Sequence, residues 1–303
     1  MRRREFLLSS GVTALGLSAF PCGWVSAAEK KKQKILYYTC SAGFEHSVVK
    51  RKGNELSHSE KILTELGQKT GFDVVCTKDG SVFDGDLNQY DAIAFYTSGV
   101  LTNPDRYKNP PMTPKGKQRL LDAIAAGKGF VAFHSSSDSF HSVGPNDENQ
   151  AVVDPYLAML GGEFIVHGKQ QESTMRITGP KFPGTEELSD TWRLTEEWYC
   201  LKNFASNLHV ILVQDTAGME GPMYQRAPFP ATWARMHQQG RVFYTSFGHR
   251  EDIWTNPKVQ QLILGGLAWA MRNVQADVTP NIDQVTPRAR VIPKLPPKKV
   301  QKK

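Results

Sequence analysis

Between residues 34 and 133 the chain returns four times to a short, largely apolar run, and this recurrence limits its fold more than any other feature. The runs are KILYYTC (34–40), DVVCTKD (73–79), DAIAFYTSG (91–99) and GFVAF (129–133). Between the first two, HSEKILTELGQKTG (58–71) spaces Ile62, Leu63 and Leu66 as a helix does, with Gly71 as its stop. Between the last two, Pro114 opens a second helix that runs through Leu120, Leu121 and Ile124 to Gly127. Strands that read as continuous apolar runs, separated by helices, predict a parallel sheet covered on both faces.

Past residue 150 the pattern continues with changes. DPYLAMLGG (154–162) reads as a short helix, and EFIVHGK (163–169) and STMRITG (173–179) read as strands. HVILVQD (209–215), PATWARM (230–236) and GRVFYTSFG (240–248) follow, the last two joined by HQQG at hairpin spacing. NPKVQQLILGGLAWAMRN (256–273) predicts a final helix. One principal domain, about 33–275, accounts for these elements. Residues 276–303, rich in Pro and Lys and without periodicity, predict a disordered basic tail.

The amino end reads as a targeting segment. Arg3-Arg4-Glu5-Phe6-Leu7 has the twin-arginine pattern of a bacterial export signal, an uncharged stretch follows to Phe20, and Ser26, Ala27 and Ala28 offer a cleavage site. A signal peptide over 1–28 predicts a periplasmic or extracellular protein with no stable membrane insertion after cleavage. The apolar stretch falls short of the roughly 20 residues that span a bilayer. The twin-arginine route carries folded proteins, which favours a bound cofactor without establishing one. The net charge of +7 comes from the first 34 residues and the tail, leaving the body mildly acidic. That distribution argues against a nucleic-acid partner, which needs cationic side chains on the folded surface. Cys40, Cys76 and Cys200 remain beyond the signal, too scattered for a zinc-thiolate site and too few for a disulfide scaffold.

Ligands of open α/β sheets bind outside the carboxyl ends of the strands. His46 follows the first strand, Ser98-Gly99 ends the third, His134 ends the fourth and His249 follows the last. His167 lies near the end of GGEFIVHG, four residues after Glu163 and so expected on the same strand face. TEEWYC (195–200) adds Glu196, Glu197 and Tyr199 in what reads as an irregular segment. His134 breaks the run KGFVAFHSSSD (128–138) abruptly. A strand-to-helix elbow favours small residues two positions either side of its apex. His134 has Ala132 and Ser136 there, whereas Ser135 and Ser136 have Phe133 and His134 on one side. Nucleophilic serine chemistry is disfavoured accordingly. A neutral imidazole at a helix amino end leaves three roles open for His134: metal ligand, general base, or polariser of a carbonyl.

The ordered set GFEH, KGFVAFHSSSD, GGEFIVHG, LTEEWYC, PATW and GRVFYTSFGHRED resembles the ThuA-like proteins, named for trehalose utilisation, over residues 33–273. The resemblance implies a class I glutamine amidotransferase-like fold, a flavodoxin-like three-layer α/β/α sandwich with a mostly parallel sheet. It also implies a pocket lined by His46, His134, His167, Glu197, Tyr199, Trp233 and His249. Amidotransferases carry a nucleophilic cysteine at the elbow, and His134 stands there instead, so glutamine hydrolysis is not expected. The family's link to disaccharide catabolism implies a carbohydrate substrate, with a glycoside or 3-keto-sugar derivative as the leading class and a non-catalytic sugar-binding module as the alternative. His134, Glu197 and His249 are the candidate catalytic residues. Phe44, Tyr199 and Trp233 are candidate sugar contacts. His46, His134 and His167 are the candidate ligands of a divalent metal such as Zn.

Overall fold

The sequence of β1 (Gln33–Tyr38) sets the plan of the molecule. Its alternate residues leave on opposite sides of the sheet: Ile35 and Tyr37 enter one buried cluster, Leu36 and Tyr38 the other. The computed structural model describes residues 32–295, so the signal expected over 1–28 lies outside the described residues. α1 (His58–Thr70) begins where the Glu60 carboxylate accepts the Ser57 N–H at 2.8 Å, and it ends at Gly71, whose φ of 93° closes the helix. β2 (Phe72–Thr77) and β3 (Ala92–Phe95) follow. α2 (Pro114–Ala125) is capped by the Thr113 hydroxyl with proline at its first turn, and β4 (Gly129–Phe133) is wholly buried.

The second half holds α3 (Pro155–Leu160), β5 (Glu163–His167), β6 (Gln171–Ile177), β7 (Thr191–Glu196), β8 (Tyr199–Lys202), β9 (His209–Gln214), β10 (Phe229–His237) and β11 (Gly240–Thr245). α4 (Glu251–Thr255), α5 (Pro257–Ala270) and α6 (Ile282–Val285) complete it. The nine-stranded sheet has the order β2-β1-β3-β4-β11-β10-β9-β6-β7. β2, β1, β3, β4 and β11 pair in parallel, and every pairing from β11 outward is antiparallel. Only β6 and β10 therefore run against the other strands, and the sheet is mostly parallel in direction, as expected. α1, α4 and α5 bury Leu63, Leu66, Trp254, Leu262 and Ile263 on one face. α2, α3 and α6 bury Leu120, Ile124, Tyr156, Leu157 and Ile282 on the other. The result is the three-layer α/β/α sandwich.

Three readings of the sequence change. TEEWYC is not irregular: β7 ends at Glu196, β8 starts at Tyr199, and Glu197 sits in the short link between them. β8 pairs with β5 in a separate two-stranded sheet, and a register shift between Phe164 and Val166 breaks the alternation that would place Glu163 and His167 on one face. Residues 276–295 are ordered rather than a free tail. Ile282 and Ala289 are buried, Asn281 bonds both the N–H and the carbonyl of Val210, and the Arg226 guanidinium reaches the Ala289 carbonyl. Their apolar residues find a surface in the finished fold that no local periodicity announces.

Candidate metal centre

The carboxyl ends of the parallel strands gather the histidines. His46 is delivered by the loop after β1, which is pinned against the loop after β3. There Ser98 Oγ donates to the Phe44 carbonyl at 2.6 Å, and the N–H groups of Ala42 and Gly43 donate to the Ser98 carbonyl. Gly99 allows this approach. Its φ is 76°, and a Cβ there would stand 2.3 Å from the Gly43 nitrogen. His134 follows β4 directly and has the left-handed φ of 40°. That conformation is uncommon for a residue with a Cβ, and it is held because the His134 carbonyl accepts the Tyr244 and Ser137 hydroxyls at 2.8 and 3.2 Å. The elbow leads into a single 3-10 turn, His134–Asp138, not a long helix. His249 follows β11, and Glu197 enters from the β7–β8 link.

These side chains converge. One ligand atom from each of His46, His134, Glu197 and His249 lies within 4.8 Å of the others. Glu197 Oε2 is 3.0 Å from His249 Nδ1, 3.5 Å from His134 Nε2 and 3.9 Å from His46 Nε2. Donors around a common ion at ~2.1 Å stand roughly 3–4 Å apart, so the four groups need only small adjustments to hold one. The tautomer of His134 sharpens the point. Its Nδ1 lies 2.8 Å from the Ser246 carbonyl, which can only accept, so Nδ1 carries the proton and Nε2 presents a lone pair. Burial pushes the imidazole down to about 3 despite the neighbouring Glu197, so the ring is neutral. A lone pair and a carboxylate oxygen thus face each other across 3.5 Å, an arrangement that a cation between them stabilises. Nδ1 of His46, Nε2 of His134 and Nδ1 of His249 are buried without a hydrogen bond. Three imidazoles and a carboxylate are a donor set suited to zinc and similar divalent ions.

Supporting groups fix the ligands. The buried Glu196 carboxylate accepts the N–H of Gly248 at 2.9 Å, of His249 at 3.2 Å and of Glu197 at 2.8 Å, tying the loops of two ligands together. The Tyr199 ring lies 4.0 Å from that of His134, and its hydroxyl is 3.4 Å from His46 Nε2. Tyr96, which the sequence did not mark, packs on His46 and His134 and donates to the Gly248 carbonyl. Only the apolar run around it could have drawn attention to it.

Two expected site residues move. His167 is not among the converging four: it stands at the mouth, partly exposed, with Nδ1 3.2 Å from the other carboxylate oxygen of Glu197. His249, read as catalytic, takes its place in the ligand set, because the β5 bulge carries His167 outward while the loop after β11 turns His249 in. Trp233 belongs to the core. It is fully buried in the core, donates to the Leu160 carbonyl and packs 4.3 Å from the Tyr244 ring. Phe44 stays at the rim, 67% exposed, its ring edge-on to His46 at 4.9 Å. Cys40, Cys76 and Cys200 are free thiols.

A family model described as ThuA, trehalose utilisation, matches residues 34–270. The fold is similar to the crystal structure of a ThuA-like protein from Bacteroides uniformis, with a TM-score of 0.59 and 17% identity over 83% of this chain and 95% of that one. It is also similar to a ThuA-like protein from Parabacteroides merdae, with a TM-score of 0.57 and 18% identity over 82% and 92% of the two chains. No curated protein matches the chain.

Proposed function

Since the chain belongs to the ThuA family, we propose that it is an exported enzyme of carbohydrate breakdown that acts on a disaccharide, glycoside or 3-keto-sugar derivative. His46, His134, Glu197 and His249 would hold a divalent ion such as Zn. When bound, that ion supplies a Lewis acid for a sugar oxygen. The observation that carries this reading is the unprotonated Nε2 of His134 facing the Glu197 carboxylate at the buried carboxyl edge of the sheet. Export is supported by the twin-arginine pattern at Arg3-Arg4.

His167 suits the general base. Its Nδ1 lies 2.9 Å from the Gly168 carbonyl and beside Glu197, so Nδ1 carries the proton and Nε2 is the basic nitrogen. In a 3-keto glycoside the ketone acidifies the neighbouring C2–H. His167 takes that proton, the electron pair forms the C1–C2 double bond, the glycosidic C–O bond breaks, and the departing oxygen takes a proton from water. Among disaccharides and their 3-keto derivatives incubated with and without Zn²⁺, at least one yields product, and His167→Ala lowers the rate about 10²–10⁴-fold. Saturable binding without product from any of them would overturn the enzymatic reading and favour a sugar-binding module.

A further inference from the structure

A second cleft opens one ring beyond the centre, and it is lined by Asp138, His141, Asn146, Phe164 and Ile165. Packed rings and one short turn link the cleft to the centre. Asp138 ends the same 3-10 turn that His134 begins. The Phe164 ring lies 4.2 Å from that of Tyr199, which in turn lies 4.0 Å from His134. His167 at the mouth also stacks on Phe164, at 6.1 Å.

The polar side of the cleft is built, not incidental. His141 lies between two carboxylates, its Nε2 3.4 Å from Asp138 Oδ1 and its Nδ1 3.9 Å from Glu163 Oε1. Glu163 is buried and held in place by the Ser142 hydroxyl at 2.5 Å and the Asn203 amide at 2.7 Å. Phe164 and Ile165 complete the lining. Carboxylate, imidazole and primary amide beside an aromatic ring suit a neutral polyol, whose hydroxyls both donate and accept and whose C–H face packs on a ring. The Asp138 carboxylate on the lining disfavours a phosphorylated sugar.

We propose that this cleft is a subsite for a second sugar ring, so that the substrate is a disaccharide with one ring at the His46–His134–Glu197–His249 centre and the other between Phe164 and Asp138. The inference rests on the carbohydrate reading of that centre and adds the subsite to it. One hydrogen bond to a charged group is enough for roughly tenfold tighter binding.

The test is calorimetric titration of the full-chain protein, with Zn²⁺ added, against trehalose, maltose and cellobiose and against the methyl α- and β-glucosides. At least one disaccharide is expected to bind about tenfold tighter than the matching methyl glucoside. Asp138→Asn, Phe164→Leu and the surface change Asn146→Ala are each expected to lower that affinity toward the methyl glucoside value. Equal binding of disaccharide and methyl glucoside, or disaccharide binding unmoved by all three changes, would overturn the proposal. If Zn²⁺ and methyl glucoside bind while the disaccharide gains nothing, the subsite alone falls. If neither Zn²⁺ nor any sugar binds, the reading of the centre falls with it.

Discussion

Glu196 and Glu197 sit side by side in surroundings that treat their charges in opposite ways. Burial pushes the Glu196 carboxyl up to about 7, against the pull of the three N–H groups it accepts. Burial also opposes the charge of Glu197, yet that carboxyl is held far below the usual range, with His249 Nδ1 3.0 Å from its Oε2. Glu197 is thus the anion that ring nitrogens and a cation share, and Glu196 is the brace that joins its strand to the His249 loop. Removing a brace of this kind typically costs about 10–100-fold in metal affinity. Glu196→Ala is therefore expected to weaken Zn²⁺ binding by about that factor, with Glu196→Gln, which keeps an acceptor oxygen, falling between it and the wild type. Competition with a chromophoric chelator measures both. Much of the centre was legible in the sequence, because three of its ligands follow separate strands and the edge rule brings such loops together. The exchange of His167 for His249 was not, since it depends on a bulge in β5 and on a pairing with β8 that joins Glu163 to Lys202, distant in the sequence. The place of Trp233 in the core is not legible either, because an aromatic residue in a strand reads alike whether it faces a pocket or the core.

Among the elements, the start of α1 carries the clearest electrostatic stake. Burial alone would raise the Glu60 carboxyl, but hydrogen bonds from Arg51 at 2.8 Å, Thr39 at 2.6 Å and the Ser57 N–H hold it below the ordinary carboxylate range. A depressed pKa contributes stability that is present above the unfolded value and lost as pH falls through the folded one. Glu60→Gln is expected to lower stability by about 1–3 kcal/mol at pH 7. Chemical denaturation repeated at falling pH should show the gap between variant and wild type closing below roughly pH 4. A constant gap down to pH 3 would contradict the ionic account. The strands of the parallel half were readable for the same reason they are stable: apolar on both faces, they announce themselves. β7 and β8 were hidden because their inward positions include Glu196 and Lys202, polar residues that break the apolar pattern and draw on distant partners, the Gly248 N–H and the Pro145 carbonyl.

At the scale of the whole molecule, the strap of residues 276–295 closes one end of the sandwich. It crosses β9 at Val210, meets Phe204 through the Arg290 guanidinium and accepts Arg226 at Ala289. Removing everything after Gln275 exposes the surface that Ile282 covers, and burial of one such side chain contributes about 1.5–3 kcal/mol. Chemical denaturation of the truncated protein should show an unfolding free energy lower by at least that much and an earlier midpoint; an unchanged midpoint would mean the strap is stability-neutral. Among the described residues no helix is long and apolar enough to cross a membrane. The layered fold exists, on this account, to bring four strand-end loops to one point, and the content of that point decides the rest. The most direct measurement is elemental analysis of the full chain purified without a histidine tag and dialysed against Zn²⁺. One ion per chain is expected for the wild type, with loss of that ion in the His46→Ala/His134→Ala double variant while the protein remains folded. A wild-type chain that retains no divalent metal, or a double variant that retains as much as the wild type, would contradict it.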